Sequence, residues 1–216
     1  MTTATTMETL SARLKSGTWD LHQKAESQPF QKSLVKGEVS RAGYAAWLGQ
    51  MLLVHRVLES RLRELAERDG RVASVVTSEQ HQEPYLVADL AALGADAAGA
   101  AALPATADLI RTIEEAAERE PIRLLGFHYV LEGSNNGNAF IARAIRSALG
   151  LEPGAGDRYL DPYGPRQREV WSAFKTQIDA QGFEDAEQRA MVEAARDMFE
   201  GVSAMSVDMS RELAAG

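Results

Sequence analysis

Four histidines, His22, His55, His81 and His128, and no cysteine bound the chemistry open to this 216-residue chain. Without thiols there can be no disulfide, thiolate zinc site, iron–sulfur cluster or cysteine nucleophile. Any metal must be held by imidazole and carboxylate. His22 is followed one helical turn later by Glu26, and His55 by Glu59. A carboxylate at i+4 can support the ring nitrogen that is not on a metal, or join it as a second ligand. No Glu-x-x-His occurs in the chain, which argues against the paired helices of a di-iron carboxylate site. His81, beside Glu83 and Pro84, reads as solvated, and His128, next to Tyr129, as a helix-packing residue.

On a helical wheel Lys15, Thr18, His22 and Glu26 form one stripe. It lies about 90° around the helix from the apolar stripe Leu10, Leu14, Leu21 and Ala25. His22 thus sits at the rim of a core-facing surface. There it can present a neutral nitrogen to a metal, or be an ordinary partly buried histidine. A second unusual feature is EGSNNGNAF, Glu132 to Phe140, set between two helix-like apolar runs. Its glycines and asparagines cost up to about 1 kcal/mol each in a helix relative to alanine. If the helix continues, Tyr129, Gly133, Gly137 and Phe140 or Ile141 share a face from which side chains vanish at two successive turns. That admits a flat, bulky ligand to the backbone, a kink, or a helix crossing. A plain loop is the alternative. The phosphate-loop lysine and hydroxyl are absent.

The elements that must carry these residues are helical. Hydrophobic residues make up 45% and charged residues 25%, an ordinary globular composition. Apolar positions recur with helical spacing in segments near 7–26, 40–68, 105–119, 121–149, 166–180 and 185–213, and sustained alternation is missing. The fold class is all-α, a single domain over 1–216 with residues 1–6 and 214–216 expected to fray. No apolar run approaches the ~20 residues needed to span a membrane. MTTATTMETL has neither a basic start nor an apolar stretch, so no secretory signal is expected and the protein is expected to be cytoplasmic. A net charge of −8 argues against non-specific nucleic-acid binding.

Together these residues resemble the haem oxygenase family, in its bacterial type. LHQKAESQPF followed by KGEVSRAGYAAWL is similar to that family's proximal segment, and YVLEGSNNGNAF to its distal helix. FKTQI and ARDMF fit the C-terminal portion more loosely. The resemblance implies a multi-helix bundle that sandwiches haem b between a proximal and a kinked distal helix. It implies His22 as axial iron ligand with Glu26 as its support, and Gly133 and Gly137 where the distal helix bends over the porphyrin. Ser134 and Asn135 would lie at the haem edge and its distal water, with Thr18 on the proximal stripe beside His22. Lys15 and Lys175 match basic residues near the propionates, and Tyr129 and Phe199 match pocket walls. Two departures stand out. The aspartate of mammalian distal helices is absent, and a second propionate-binding position is occupied by Asp179. His55 falls where mammalian members carry a tyrosine.

The implied activity is oxidative opening of haem at a meso carbon to biliverdin, carbon monoxide and ferrous iron. It would use dioxygen and an electron donor such as ferredoxin or a flavoprotein reductase. A non-catalytic haem or bilin carrier on the same fold is the alternative. A thiaminase-like helical enzyme would be expected to use a cysteine nucleophile, which this chain lacks.

Overall fold

The computed structural model describes residues 8–215, and these hold nine α-helices and no strand. They are α1 (Leu10–Glu26), α2 (Pro29–Lys36), α3 (Arg41–Ala66), α4 (Gly70–Val75), α5 (Glu83–Ala92), α6 (Pro104–Arg119), α7 (Leu124–Leu149), α8 (Gln167–Ala180) and α9 (Asp185–Ala215). The ends expected to fray at 1–6 and 216 lie outside the described residues, whereas 214 and 215 complete α9.

Local chemistry sets the boundaries. Ser40 caps α3, its hydroxyl accepting the Gly43 N–H at 3.1 Å. Asp179 turns out to serve α1: its carboxylate accepts the Ser11 N–H and the Ser11 hydroxyl, both at 2.7 Å. Helical periodicity does not reveal α2. Eight residues are too few for a repeat to register, but Pro29 at its start and Gly37 at its end are the signals for it. Gly37 closes the helix in the left-handed region, φ 68°, where a side chain would be strained.

The stretch EGSNNGNAF lies inside α7, which runs uninterrupted for 26 residues, so the loop alternative falls away. Its polar side chains fold back on the helix. The Ser134 hydroxyl donates to the Leu131 carbonyl at 2.7 Å, Asn136 to the Gly133 carbonyl at 2.8 Å, and Asn138 to the Ser134 oxygen at 3.2 Å.

α9 is the central helix, packed on α1, α2, α3, α6 and α7. Two glycines permit its closest approaches. A Cβ at Gly126 of α7 would collide with the Met191 carbonyl oxygen, and one at Gly17 of α1 would stand 2.6 Å from Val192 Cγ1. Arg196 of α9 then clamps α1, donating to the Gly17 carbonyl at 2.6 Å and to both Asp20 carboxylate oxygens at 2.9 and 3.1 Å. That hydrogen bond holds the Asp20 carboxyl below its ordinary range. His22, half a turn beyond Asp20, is thereby fixed in register with α9.

The segment between α7 and α8 is irregular but pinned. Asp89 of α5 accepts the N–H groups of Arg158 and Tyr159 at 3.0 and 2.8 Å, and the Tyr44 hydroxyl donates to the Gly156 carbonyl at 2.9 Å. Arg146 pairs with the buried Asp157 at 3.1 Å. Burial raises the Asp89 carboxyl against the pull of these N–H donors. No described helix is long and apolar enough to cross a membrane.

Candidate functional site

A cavity of about 690 Å³ is bounded by α1, α2, α3, α7, α9 and the pinned segment. α1 contributes His22, Ala25 and Glu26; α3 contributes Trp47 and Met51; α9 contributes Phe199 and Val202. The α7 wall includes Val130, Leu131, Gly133, Ser134, Gly137 and Ile141, and Tyr159 comes from the pinned segment.

His22 is held by aromatic contacts. Trp19 stacks on the imidazole with centroids 5.5 Å apart and planes 11° apart, and Phe199 meets it edge-on at 5.6 Å. Nδ1 is buried without a hydrogen-bond partner. The Glu26 carboxylate stands 3.7 Å from it, beyond hydrogen-bond length.

Gly137 is not at a helix crossing. Nothing lies within 4 Å of a Cβ built at Gly137, whereas one at Gly133 would stand 3.2 Å from the Trp171 ring of α8. Gly126 and Gly17 carry the crossings instead. The missing side chain at 137 therefore leaves space along the cavity wall, and the one at 133 makes room for Trp171. Trp171, stacked at 5.4 Å on Phe174 and tilted at 5.4 Å against Tyr129, backs that part of the helix.

The cavity brings together His22, Glu26, Gly133, Ser134, Gly137 and Phe199 of the residues anticipated from sequence. It does not include the others. Thr18 is buried and donates to the Leu14 carbonyl at 2.7 Å. Asn135 is buried with its amide 3.4 Å from a Glu132 oxygen. Tyr129 packs behind Trp171 and Phe174, and burial raises its phenol to about 12. Lys15 is on the exposed side of α1, and the Lys175 ammonium sits 5.7 Å from the Trp171 ring centroid. The lysines on the cavity wall are Lys32 and Lys36 of α2, beside the exposed Val35 and Phe140. Their K-x-x-x-K spacing, within a helix opened by proline, is the sequence signal that points to them.

Behind the cavity lies a buried polar cluster. His55 Nδ1 is 2.9 Å from Glu59 Oε1, and Nε2 is 3.2 Å from the Tyr159 hydroxyl. Glu59 Oε1 also accepts the N–H groups of Gln82 and Glu83, at 2.7 and 3.1 Å. Burial pushes Glu59 up, but its bond to His55 and these donors outweigh it and leave the carboxyl below its ordinary range. Glu132, which accepts the Tyr163 hydroxyl at 2.8 Å, goes the other way: burial raises it to about 7. Burial lowers His128 to about 3, so the ring is neutral. Among the described residues no group of three His, Asp or Glu side chains could enclose a metal ion.

Comparison with known proteins places this architecture. Residues 8–208 match the family described as heme oxygenase. No curated protein matches the chain. Heme oxygenase-2 from Synechocystis sp., solved in complex with heme and NO, superposes with a TM-score of 0.89 at 22% identity, covering 96% of this chain and 87% of that one. Heme oxygenase from Leptospira interrogans gives 0.84 at 23% identity, covering 92% and 98%. A domain of unknown function with a heme oxygenase-like fold from Shewanella denitrificans gives 0.74 at 17%, covering 93% and 91%. At such identities the structural likenesses speak for the fold. With the family match spanning nearly all of the sequence, the chain belongs to the haem oxygenase family.

Proposed function

We propose that the chain is a haem oxygenase in activity. It binds haem b as substrate and cofactor and opens the ring at a meso carbon to biliverdin, carbon monoxide and ferrous iron. Dioxygen and an external donor, such as ferredoxin or a flavoprotein reductase, supply the oxidant and electrons. One observation carries the reading: a histidine with an unpartnered buried nitrogen and a helix wall left bare at Gly137 line the same cavity.

The residues fit haem. When bound, haem supplies an iron that a single histidine ligand leaves open on one side for dioxygen. His22 is the ligand, and its tautomer is set once Nδ1 closes the 3.7 Å gap to the Glu26 carboxylate. Gly137 lets a plate approach the α7 backbone. Met51, Val130, Leu131, Ile141 and Val202 supply apolar wall that keeps water from the ring. Lys32 and Lys36 suit the two carboxylates of haem at the rim; Lys15 and Lys175 stand off the cavity. The Ser134 hydroxyl donates to Leu131 and accepts from Asn138, so it shapes the wall rather than delivering protons.

The test is anaerobic haem titration followed by air and a reductant. A 1:1 complex with a histidine-ligated spectrum, converting to a bile pigment, is expected. The lack of any carboxylate or untethered hydroxyl on the α7 wall favours the carrier alternative, and haem that binds but survives turnover conditions would establish it.

A further inference from the structure

Two stripes of matching spacing meet where α7 packs on α8. Tyr129, Gly133 and Asn136 stand at i, i+4 and i+7 on α7, and Gln167, Trp171 and Phe174 repeat that spacing on α8. They pair in opposite order. The Phe174 and Tyr129 ring centroids are 6.4 Å apart, the Trp171 ring abuts Gly133, and the Gln167 amide reaches the Asn136 oxygen at 3.5 Å. The middle contact is the tight one. A Cβ at Gly133 would find three atoms of the indole's six-membered ring at 3.2, 3.6 and 3.7 Å. The indole thus rests on bare backbone, a seat that a methyl group would crowd.

The indole has little freedom to yield. It is half-buried, parallel to Phe174 within 9° at 5.4 Å, and tilted against Tyr129 at 5.4 Å. The Lys175 ammonium lies 5.7 Å from its ring centroid. Phe174 is in turn held edge-on against the buried His128 at 5.6 Å. Near the other end of α8, the Asp179 carboxylate holds the start of α1 through its two bonds to Ser11. α8 therefore touches both helices of the proposed haem site, α1 with His22 and α7 with Gly137.

We propose that α8 is a strut that fixes the roll of α7 relative to α1, with Trp171 its positioning residue and Gly133 the notch that receives it. The cavity face of α7, with Val130, Ser134, Gly137 and Ile141, begins one residue beyond the stripe that meets α8. The two faces are thus about 100° apart around the helix. A roll of α7 in either direction would swing Asn136 or Asn138 toward the place that Gly137 leaves bare. Trp171 stops that roll. The two glycines then serve one end by different means: Gly133 admits an indole from the flank, and Gly137 admits a plate from the cavity.

The proposal rests on the haem-cleaving reading, so one measurement is made without haem. In denaturant titrations of the apo chain, Gly133→Ala should bring no stability, because its methyl crowds the indole. In a Trp171→Phe background, where the shorter ring vacates the notch, the same change should raise the folding constant by up to about fivefold, alanine's advantage over glycine in a helix. An equal gain in both backgrounds would overturn the contact. The second measurement is the infrared C–O stretch of the ferrous haem complex with carbon monoxide, which reads how the α7 wall meets a bound ligand. Gly133→Ala and Trp171→Phe should each shift or split that band while the histidine-ligated spectrum persists. The double variant, with methyl and shorter ring matched, should return it toward the wild type. A band that stays put in both single variants, or shifts that add in the double, would overturn the strut. Failure of the wild-type chain to take up haem would instead overturn the haem-cleaving reading, with the apo titrations still deciding whether Trp171 seats on Gly133.

Discussion

Trp19 lies nearly parallel to His22, 5.5 Å away, although 52% of the indole is exposed. An exposed tryptophan is unusual, and stacking on the proposed ligand gives it a role. It restricts the imidazole to one orientation before any ligand arrives. Such aromatic pairs contribute about 0.5–1.5 kcal/mol. Trp19→Ala should therefore weaken haem binding by about 2–13-fold, read by spectral titration. His22→Ala should abolish the histidine-ligated spectrum altogether. An unchanged spectrum in His22→Ala would move the ligand to another histidine.

The glycines of α7 should divide sharply. Gly137→Ala meets open space and replaces a poor helix former, so the apo protein should gain about 0.5–1 kcal/mol. Gly137→Leu should fold equally well yet exclude or tilt haem. Gly126→Ala drives a methyl into the Met191 carbonyl and should cost on the order of 1–3 kcal/mol or more. Thermal melts of the three apo variants give the comparison. A destabilised Gly137→Ala would mean that this position does not face open space.

Lys32 and Lys36 line the cavity, while Lys15 and Lys175 do not. Replacing either α2 lysine with alanine should cost haem affinity by up to about fivefold, the strength of an exposed ion pair, and the loss should shrink as salt rises. Lys15→Ala and Lys175→Ala should leave the dissociation constant where it is. The reverse ranking in parallel titrations would return the carboxylate contacts to the positions expected from the family resemblance.

Glu132 makes stability depend on pH. Burial raises its carboxyl from an ordinary 4.5 to about 7 in the folded chain, so the native state holds the proton more tightly. That contribution is complete below about pH 4.5 and is lost as pH rises through 7. His128 has the opposite sign: its ring, lowered to about 3, favours the native state above pH 6.5 and ceases to do so as pH falls. Because the two oppose each other at mildly acid pH, the difference between wild type and Glu132→Gln isolates the carboxylate. That difference should change by on the order of 2–3 kcal/mol between pH 4.5 and 7.5. A stability difference between the two proteins that stays constant from pH 4.5 to 7.5 in denaturant titrations would show that Glu132 does not titrate in this range.

The helical class, the caps and the two unusual segments were legible in the sequence because each is a local matter. Ser40 caps by bonding three residues ahead, and Gly133 and Gly137 stand on one face through helical periodicity alone. His22 stands out by its place at the rim of an apolar stripe, again a property of one helix. What the glycines face is not local. Gly126 and Gly137 lie on the same helix and are chemically identical, yet one touches a carbonyl of α9 and the other borders empty space. Only the packing of α9 against α7 separates them.

The same limit governs the polar residues. Side chains one helical turn apart, such as His55 and Glu59, can be paired from their spacing alone. Tyr159 is about a hundred positions away and reaches His55 because Asp89, Tyr44 and Arg146 pin its segment. Lys32 and Lys36, rather than Lys15, line the cavity because α2, too short to announce itself by periodicity, forms part of its wall. Sequence spacing decides which residues share a helix face. Which faces meet, and so which histidine, phenol and lysine border one cavity, is decided by long-range packing that no run of neighbouring residues encodes.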